Sequence, residues 1–242
     1  MRKWMFPLCG VIALAFGASA VPVPVPVDLT GAGGFVLKGT YYPGEGEGPA
    51  VLLLHQCNKD RSAYGELARS LAAAGVHALT VDFRGFGESV TDEIPDFESR
   101  SEDLWPLFEE DVDAAYEWLL SREGVDGARV GILGASCGGS QALLQAIKRP
   151  SIRSVAFLSS SVPWIDDDTI HEFEKGRAIP LLLIASEEDR GTYQRTERLF
   201  KSSRGAGTKM ILYKGNAHGA PLFDHDPALI PAITAWFVQT LR

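Results

Sequence analysis

Apolar residues in this chain form short continuous runs, which alternate with longer stretches of helical spacing. Continuous apolar runs are typical of strands buried on both faces of a parallel sheet. The pattern predicts strands at 35–42, 50–54, 77–81, 130–133, 155–158, 181–184 and 210–213. Apolar residues spaced by three and four predict helices at 61–74, 104–119, 141–148, 192–202 and 227–241. Together these elements predict an α/β fold with a mostly parallel sheet flanked by helices.

The first twenty residues have the pattern of a cleaved export signal. A basic start at Arg2 and Lys3 precedes an apolar stretch at 4–16, and the small residues before Ala20 fit a cleavage site. The apolar stretch is shorter than the roughly 20 residues that cross a bilayer. We therefore predict a signal peptide at 1–20, export to the periplasm or the exterior, and no stable membrane anchor.

The segment at 21–34 is rich in proline and glycine. Proline recurs at every second position from Pro22 to Pro26, which removes N–H groups that could donate into a sheet. We predict a polyproline-like N-terminal arm at 21–34. A single α/β domain at 35–242 is expected to follow it, because the sequence shows no internal repeat and no second region of distinct composition.

The charge balance of the chain narrows the class of partner. The chain has 31 acidic and 23 basic residues and a formal net charge of −8. A surface this acidic disfavours nucleic acids and anionic membranes as main partners. A small-molecule substrate is the expected partner, and the oligomeric state is left open.

One sequence motif indicates a catalytic serine. The predicted strand at 130–133 is followed directly by Gly134-Ala135-Ser136-Cys137-Gly138. A serine at a sharp strand-to-helix turn has a strained backbone, and small residues two positions away let the chain segments pass closely. Such a turn exposes the serine hydroxyl and places the next N–H at a helix start, where an oxyanion can be held. By itself the pattern fits a plain glycine-rich connection equally well.

A nucleophilic serine needs a base, and the base needs an orienting carboxylate. In open α/β sheets, ligands gather at the carboxyl ends of the strands. Asp189 and His218 each follow one of the last two apolar runs closely. We therefore predict a catalytic triad of Ser136, Asp189 and His218, with the acidic run 166–168 as an alternative source of the acid.

In this arrangement the chain resembles the α/β-hydrolase superfamily, and most of all the dienelactone-hydrolase-like serine hydrolases. The matching elements are the strand ending at His55, the turn Asp82-x-Arg84-Gly85-x-Gly87, and the serine, acid and histidine turns. The resemblance implies a single-domain α/β-hydrolase fold with a minimal cap and no cofactor. It also implies that Ser136 is the nucleophile, His218 the general base and then acid, and Asp189 the group that orients His218.

The sequence departs from the family at two positions. Dienelactone hydrolases proper have a cysteine nucleophile, whereas here Ser136 holds that position and Cys137 follows it. Many relatives have glycine after the histidine that ends the strand, whereas here His55 is followed by Gln56 and Cys57. The oxyanion hole is expected to use the N–H of Cys137 and that of either Gln56 or Cys57.

The oxyanion hole also brings two cysteines together. Two N–H groups that hold one oxyanion lie close to each other, so the α-carbons of Cys57 and Cys137 should fall within disulfide range. They are the only cysteines left after removal of 1–20, and disulfides persist in an exported protein. We hypothesise a Cys57–Cys137 disulfide; two free thiols are the alternative.

The remaining polar residues allow more than one interpretation. Arg84 either donates hydrogen bonds that stabilise its turn or binds a substrate carboxylate. His55 is expected to be a structural loop histidine. The run 224–226 could form a metal site with His218, but a helix cap beside the histidine turn explains it better, and no metal is expected.

The expected function is that of a serine esterase. It would cleave small or medium carboxylic esters or lactones through an acyl-enzyme intermediate. A peptidase or amidase of the same fold is the first alternative, although a peptidase would usually have a larger cap. A non-catalytic binding protein is the second, and the intact Ser-Asp-His set argues against it.

Overall fold

The computed structural model describes residues 23–160, 173, 176, 178–189 and 191–242. The predicted signal peptide at 1–20 and the alternative acids at 166–168 lie outside these residues. The strands are β1 (Val25–Thr30), β2 (Val36–Tyr42), β3 (Gly48–Leu54), β4 (His77–Val81), β5 (Val125–Ala135), β6 (Ile152–Leu158), β7 (Leu181–Ser186) and β8 (Lys209–Tyr213). The α-helices of the described residues are α1 (Gly65–Ala73), α2 (Ser101–Leu104), α3 (Phe108–Leu120), α4 (Cys137–Lys148), α5 (Thr192–Ser202), α6 (Pro221–His225) and α7 (Leu229–Thr240).

The strands form one sheet in the order β1-β2-β4-β3-β5-β6-β7-β8. β2 runs antiparallel to both of its neighbours, and the pairs from β4 across to β8 are all parallel. The carboxyl ends of β3 to β8 therefore meet at one edge of the sheet. The prediction of an α/β fold with a mostly parallel sheet is confirmed.

Helices cover both faces of the sheet. On one face, α3 and α4 pack on alternate strand residues such as Leu52 and Leu54; on the other, α1 and α7 pack on Val51 and Leu53. All four of these β3 residues are fully buried. This two-sided burial explains why the central strand reads as a continuous apolar run. None of the helices in the described residues is both long and apolar enough to cross a membrane.

The prediction of an arm outside the sheet at 21–34 is wrong for residues 25–30. These residues form β1, which pairs antiparallel with β2 at one edge of the sheet. An edge strand needs only every second N–H for its single neighbour, so Pro26 is tolerated where its missing N–H would face solvent. Alternating prolines therefore do not exclude a strand at an edge.

Candidate active site

The serine motif forms a strained turn between β5 and α4. Ser136 has φ 48° and ψ −116°, a conformation that costs a non-glycine residue on the order of 1–3 kcal/mol. A Cβ on Gly134 would lie 2.2 Å from the carbonyl oxygen of Gly138, and one on Gly138 would lie 2.5 Å from that of Leu54. Glycine is therefore required at both positions, as the sequence motif predicts.

Backbone hydrogen bonds hold the serine turn in place. The Ser136 N–H donates to the carbonyl of Leu158 over 3.2 Å, at the end of the neighbouring strand. The Ser136 carbonyl accepts from the N–H of Gly139 at 3.0 Å and from the hydroxyl of Ser160 at 3.2 Å. The strained residue is thus held by the end of β6 and by the first turn of α4, while its side chain stays half-buried.

Asp189 and His218 lie at the same sheet edge and form a hydrogen-bonded pair. Asp189 Oδ2 is 2.7 Å from His218 Nδ1. The Asp189 side chain is 12% exposed and that of His218 is 34% exposed. A neutral imidazole that donates from Nδ1 to a carboxylate has an unprotonated Nε2, which can accept a proton. Asp189 thus occupies the position expected for the orienting acid.

The loop that carries Asp189 is joined to the loop that carries His218, which we call the histidine loop (residues 214–220). The N–H groups of Glu187 and Glu188 each donate over 2.9 Å, to the carbonyls of Tyr213 and Gly215. The Ser186 hydroxyl donates to the carbonyl of Ala217 at 2.7 Å. These bonds fix the spacing between the two loops, and so between carboxylate and imidazole.

Cys57 and Cys137 are joined by a disulfide, with their α-carbons 5.8 Å apart. The bond links the loop after β3 to the first residue of α4, directly beside Ser136. Cys137 therefore has no free thiol that could act as a nucleophile.

Within the described residues, neither the Gln56 nor the Cys57 N–H donates to a protein acceptor. Both remain available beside Cys137, so the choice of the second oxyanion donor stays open.

Loss of this disulfide is expected to destabilise the protein. The bond closes a long loop, since the two cysteines are 80 residues apart in sequence. In a Cys57→Ala/Cys137→Ala variant, the free energy of unfolding should fall by about 2–5 kcal/mol. Urea unfolding of both proteins measures this difference. An unchanged midpoint would mean that the bond does not constrain the unfolded chain.

His55 is a structural histidine, as the sequence suggests. It is fully buried, accepts the N–H of Phe83 at Nε2 (3.0 Å), and donates from Nδ1 to the Gln56 carbonyl at 2.8 Å. Burial lowers the pKa of His55, which keeps the ring neutral. The ring thereby joins the loop after β3 to the turn after β4.

The interpretation of Arg84 as a ligand for a substrate carboxylate is corrected by its surroundings. Arg84 is 4% exposed and forms a bidentate ion pair with Asp111 of α3. Its Nη2 also donates to the carbonyl of Ala32 at 3.0 Å, and Asp111 accepts the Ala32 N–H at 2.9 Å. The guanidinium is therefore committed to joining the β1–β2 connection to α3.

Breaking this pair should affect stability rather than turnover. Arg84→Met leaves the carboxylate of Asp111 buried without its partner, which typically costs about 3–5 kcal/mol. We expect a large drop in the urea midpoint and an almost unchanged kcat/KM for the protein that remains folded. A selective rise in KM for acidic substrates would restore the substrate-binding interpretation.

In the run at 224–226, Asp226 stabilises the turn just before α7, whose N-cap residue is Ala228 and not a residue of the run. Asp226 accepts the Tyr213 hydroxyl at 2.7 Å and the Ala228 N–H at 2.9 Å, immediately before α7. Burial raises the pKa of Tyr213, and the hydrogen bond to the Asp226 carboxylate raises it further. These contacts join the end of β8 to the last helix, close to the histidine loop.

Sequence reasoning missed three side chains that support the site. Ser160 and Ser186 donate to backbone carbonyls of the serine turn and the histidine loop, respectively. No local motif identifies either of them. For Gln56 the sequence predicts a role only for the backbone N–H, although the side chain contacts the histidine loop. The signal for Gln56 was its place where many relatives have glycine.

Comparison with known proteins agrees with the fold. A family model described as "serine aminopeptidase, S33" matches residues 48–176, just over half of the chain. An uncharacterised protein of Mycobacterium tuberculosis is 34% identical over 151 residues, which are 62% of this chain and 50% of that protein. The thiohydrolase apmlB of Arthrinium phaeospermum is 33% identical over 141 residues, 57% and 44% of the two chains. The chain thus spans about half the length of these curated relatives.

Solved structures show the same fold at low identity. The dienelactone hydrolase of Anabaena variabilis superposes with a TM-score of 0.70 at 22% identity, covering 90% of this chain and 99% of that one. An esterase of Pyrobaculum calidifontis superposes with a TM-score of 0.66 at 18% identity, covering 90% and 85%. At these identities the likeness concerns the fold alone.

Proposed function

Because the chain belongs to the serine aminopeptidase S33 family of α/β-hydrolases, we propose that it is a serine hydrolase that cleaves small or medium carboxylic esters or lactones. The observation that supports this most strongly is the 2.7 Å bond between Asp189 and His218. It lies at the same sheet edge as the strained turn that carries Ser136. These are the parts that an acyl-transfer mechanism needs.

In the proposed reaction, Ser136 Oγ attacks the ester carbonyl carbon and passes its proton to His218 Nε2. The carbonyl oxygen becomes an oxyanion, which accepts from the Cys137 N–H and from a second N–H at Gln56 or Cys57. The C–O bond to the leaving alcohol then breaks, and the alkoxide takes the proton from His218. Water hydrolyses the acyl-enzyme by the same steps, releasing the acid and free Ser136.

Peptide or amide bonds are the second candidate substrate class, because the family description names an aminopeptidase. Large peptides are disfavoured, because the segment between β6 and β7 is short. Only about twenty residues separate the two strands, which is too few for a large helical cap that would bind a peptide. Thioesters belong with the esters in any test, since one relative is named a thiohydrolase.

A substrate panel tests the proposal. The purified protein is assayed with p-nitrophenyl acetate and butyrate, a small lactone, an acyl thioester and an aminoacyl p-nitroanilide. We expect turnover of the oxygen esters with kcat/KM well above that for the anilide. Faster cleavage of the anilide would favour the aminopeptidase alternative, and no turnover of any compound would favour a binding protein.

We further propose that the protein is exported and acts outside the cytoplasm. The Cys57–Cys137 disulfide supports this, since disulfides persist in oxidising compartments. The pattern of the first twenty residues supports it independently. N-terminal sequencing of protein recovered from the periplasm or medium tests it, with cleavage after Ala20 as the expected result.

A further inference from the structure

The side chain of Gln56 connects the loop after β3 to the loop that carries His218. Gln56 is 2% exposed. Its Oε1 accepts the N–H of Ala220 at 2.7 Å, and its Nε2 donates to the carbonyl of His218 at 3.4 Å and to Oδ1 of Asn58 at 2.7 Å. All the hydrogen-bonding groups of the amide are used, and a donor on one side with an acceptor on the other fixes its orientation.

The histidine loop passes directly over this amide. Residues 214–220 form no regular helix or strand, so their backbone groups need hydrogen-bond partners other than those of a helix or a sheet. The amide of Gln56 supplies two of these partners. Gly219, between the two backbone contacts, has φ 69°, and a Cβ there would lie 1.9 Å from Gln56 Oε1. The amide thus holds the backbone at His218 and two residues beyond it.

The same short loop is tied to the serine turn. Cys57, the next residue, is bonded to Cys137 at the start of α4. Residues 56 and 57 therefore contact both the segment with the proposed nucleophile and the segment with the proposed base. The Asp189 bond fixes the far side of the imidazole, and the amide fixes the backbone from which the imidazole projects.

We propose that Gln56 is a positioning residue for His218, acting through the backbone of the histidine loop to hold the imidazole toward Ser136. This inference rests on the proposed function of His218 as general base. Glycine at position 56 would offer neither hydrogen bond to the loop. A displacement of a reacting group by about 1 Å can cost roughly 10²-fold in rate.

The test compares Gln56→Met with Gln145→Met. Methionine has a similar length to glutamine, lacks the amide, and leaves the backbone N–H of residue 56 in place. Gln145 is a matched control: it is fully buried on α4, donates to Asp113 at 2.9 Å and accepts from Arg149 at 2.7 Å, away from the site. Ester kinetics and hydrogen exchange of the Ala220 amide are measured for both.

For Gln56→Met we expect kcat to fall about 10- to 100-fold with KM changed less than about threefold, because a displaced base affects the chemical step and not binding. Exchange of the Ala220 amide should become faster. Gln145→Met should change neither readout. Wild-type kcat in Gln56→Met, or an equal loss in Gln145→Met, would overturn the proposal.

Asn58→Ala gives a milder variant that does not risk folding, because Asn58 is exposed. It removes one acceptor of the Gln56 amide, so a fall in kcat of roughly two- to tenfold is expected. An unchanged kcat would contradict the role of the amide.

If the wild type cleaves no ester, the proposed function fails. The Ala220 exchange still decides whether Gln56 holds the loop: faster exchange supports this, and unchanged exchange overturns it.

Discussion

Ser136→Ala is expected to lower kcat for a chromogenic ester by about 10⁴-fold or more. Alanine removes the hydroxyl that would form the acyl-enzyme, and no neighbouring group replaces it, because the sulfur of Cys137 is held in a disulfide. Some rate above that in water should remain, since the oxyanion donors at Cys137 and the β3 loop are unaffected. Steady-state kinetics at saturating ester measures the loss.

Ser140→Ala is a suitable control for that variant. Ser140 lies on the same helix, is fully buried, and its hydroxyl has no partner among the described residues. We expect its kcat to match the wild type within about twofold, since no bond near the serine turn is lost. Equal losses in the two variants would mean that damage to α4, and not removal of a nucleophile, explains the result.

Asp189→Asn is expected to lower kcat by about 10⁴-fold as well. The amide of asparagine can donate to His218 Nδ1, which favours the tautomer with its proton on Nε2. In that tautomer His218 Nε2 already carries a proton, so it cannot accept the proton of the Ser136 hydroxyl in the proposed reaction. Kinetics across a range of pH measures the effect.

Glu188→Gln is the matched control for the acid. Glu188 is the preceding residue, its side chain is exposed, and only its backbone N–H holds the histidine loop. Its kcat should stay close to the wild type. If Asp189→Asn instead kept most of the activity, the acid would have to come from another carboxylate, with the run at 166–168 the first to test.

The sequence predicts the sheet, and the placement of Ser136, Asp189 and His218 at one sheet edge, because both depend on local patterns. Continuous apolar runs identify strands buried on both faces. Residues with reactive side chains that directly follow such strands meet at one edge of a parallel sheet. The glycines around Ser136 are recognisable because a Cβ there would collide with backbone. The disulfide was predictable because two oxyanion donors must lie close together.

The errors have physical causes that a single sequence hides. β1 was missed because proline is excluded from central strands but tolerated at an edge. The sequence leaves the role of Arg84 open between structure and substrate binding because its partner, Asp111, is 27 residues away on α3. The contact between Gln56 and Ala220 spans 164 residues, and no periodicity connects such distant positions. Long-range polar pairing is the feature that the pattern does not contain.

Covalent labelling tests the central claim most directly, namely that Ser136 is an activated nucleophile. The wild type and Ser136→Ala are treated with a fluorophosphonate, digested, and analysed by peptide mass spectrometry. The expected result is one adduct per chain on Ser136 in the wild type and none in the variant. An adduct on another residue, or labelling that persists in Ser136→Ala, would contradict the assignment of the nucleophile.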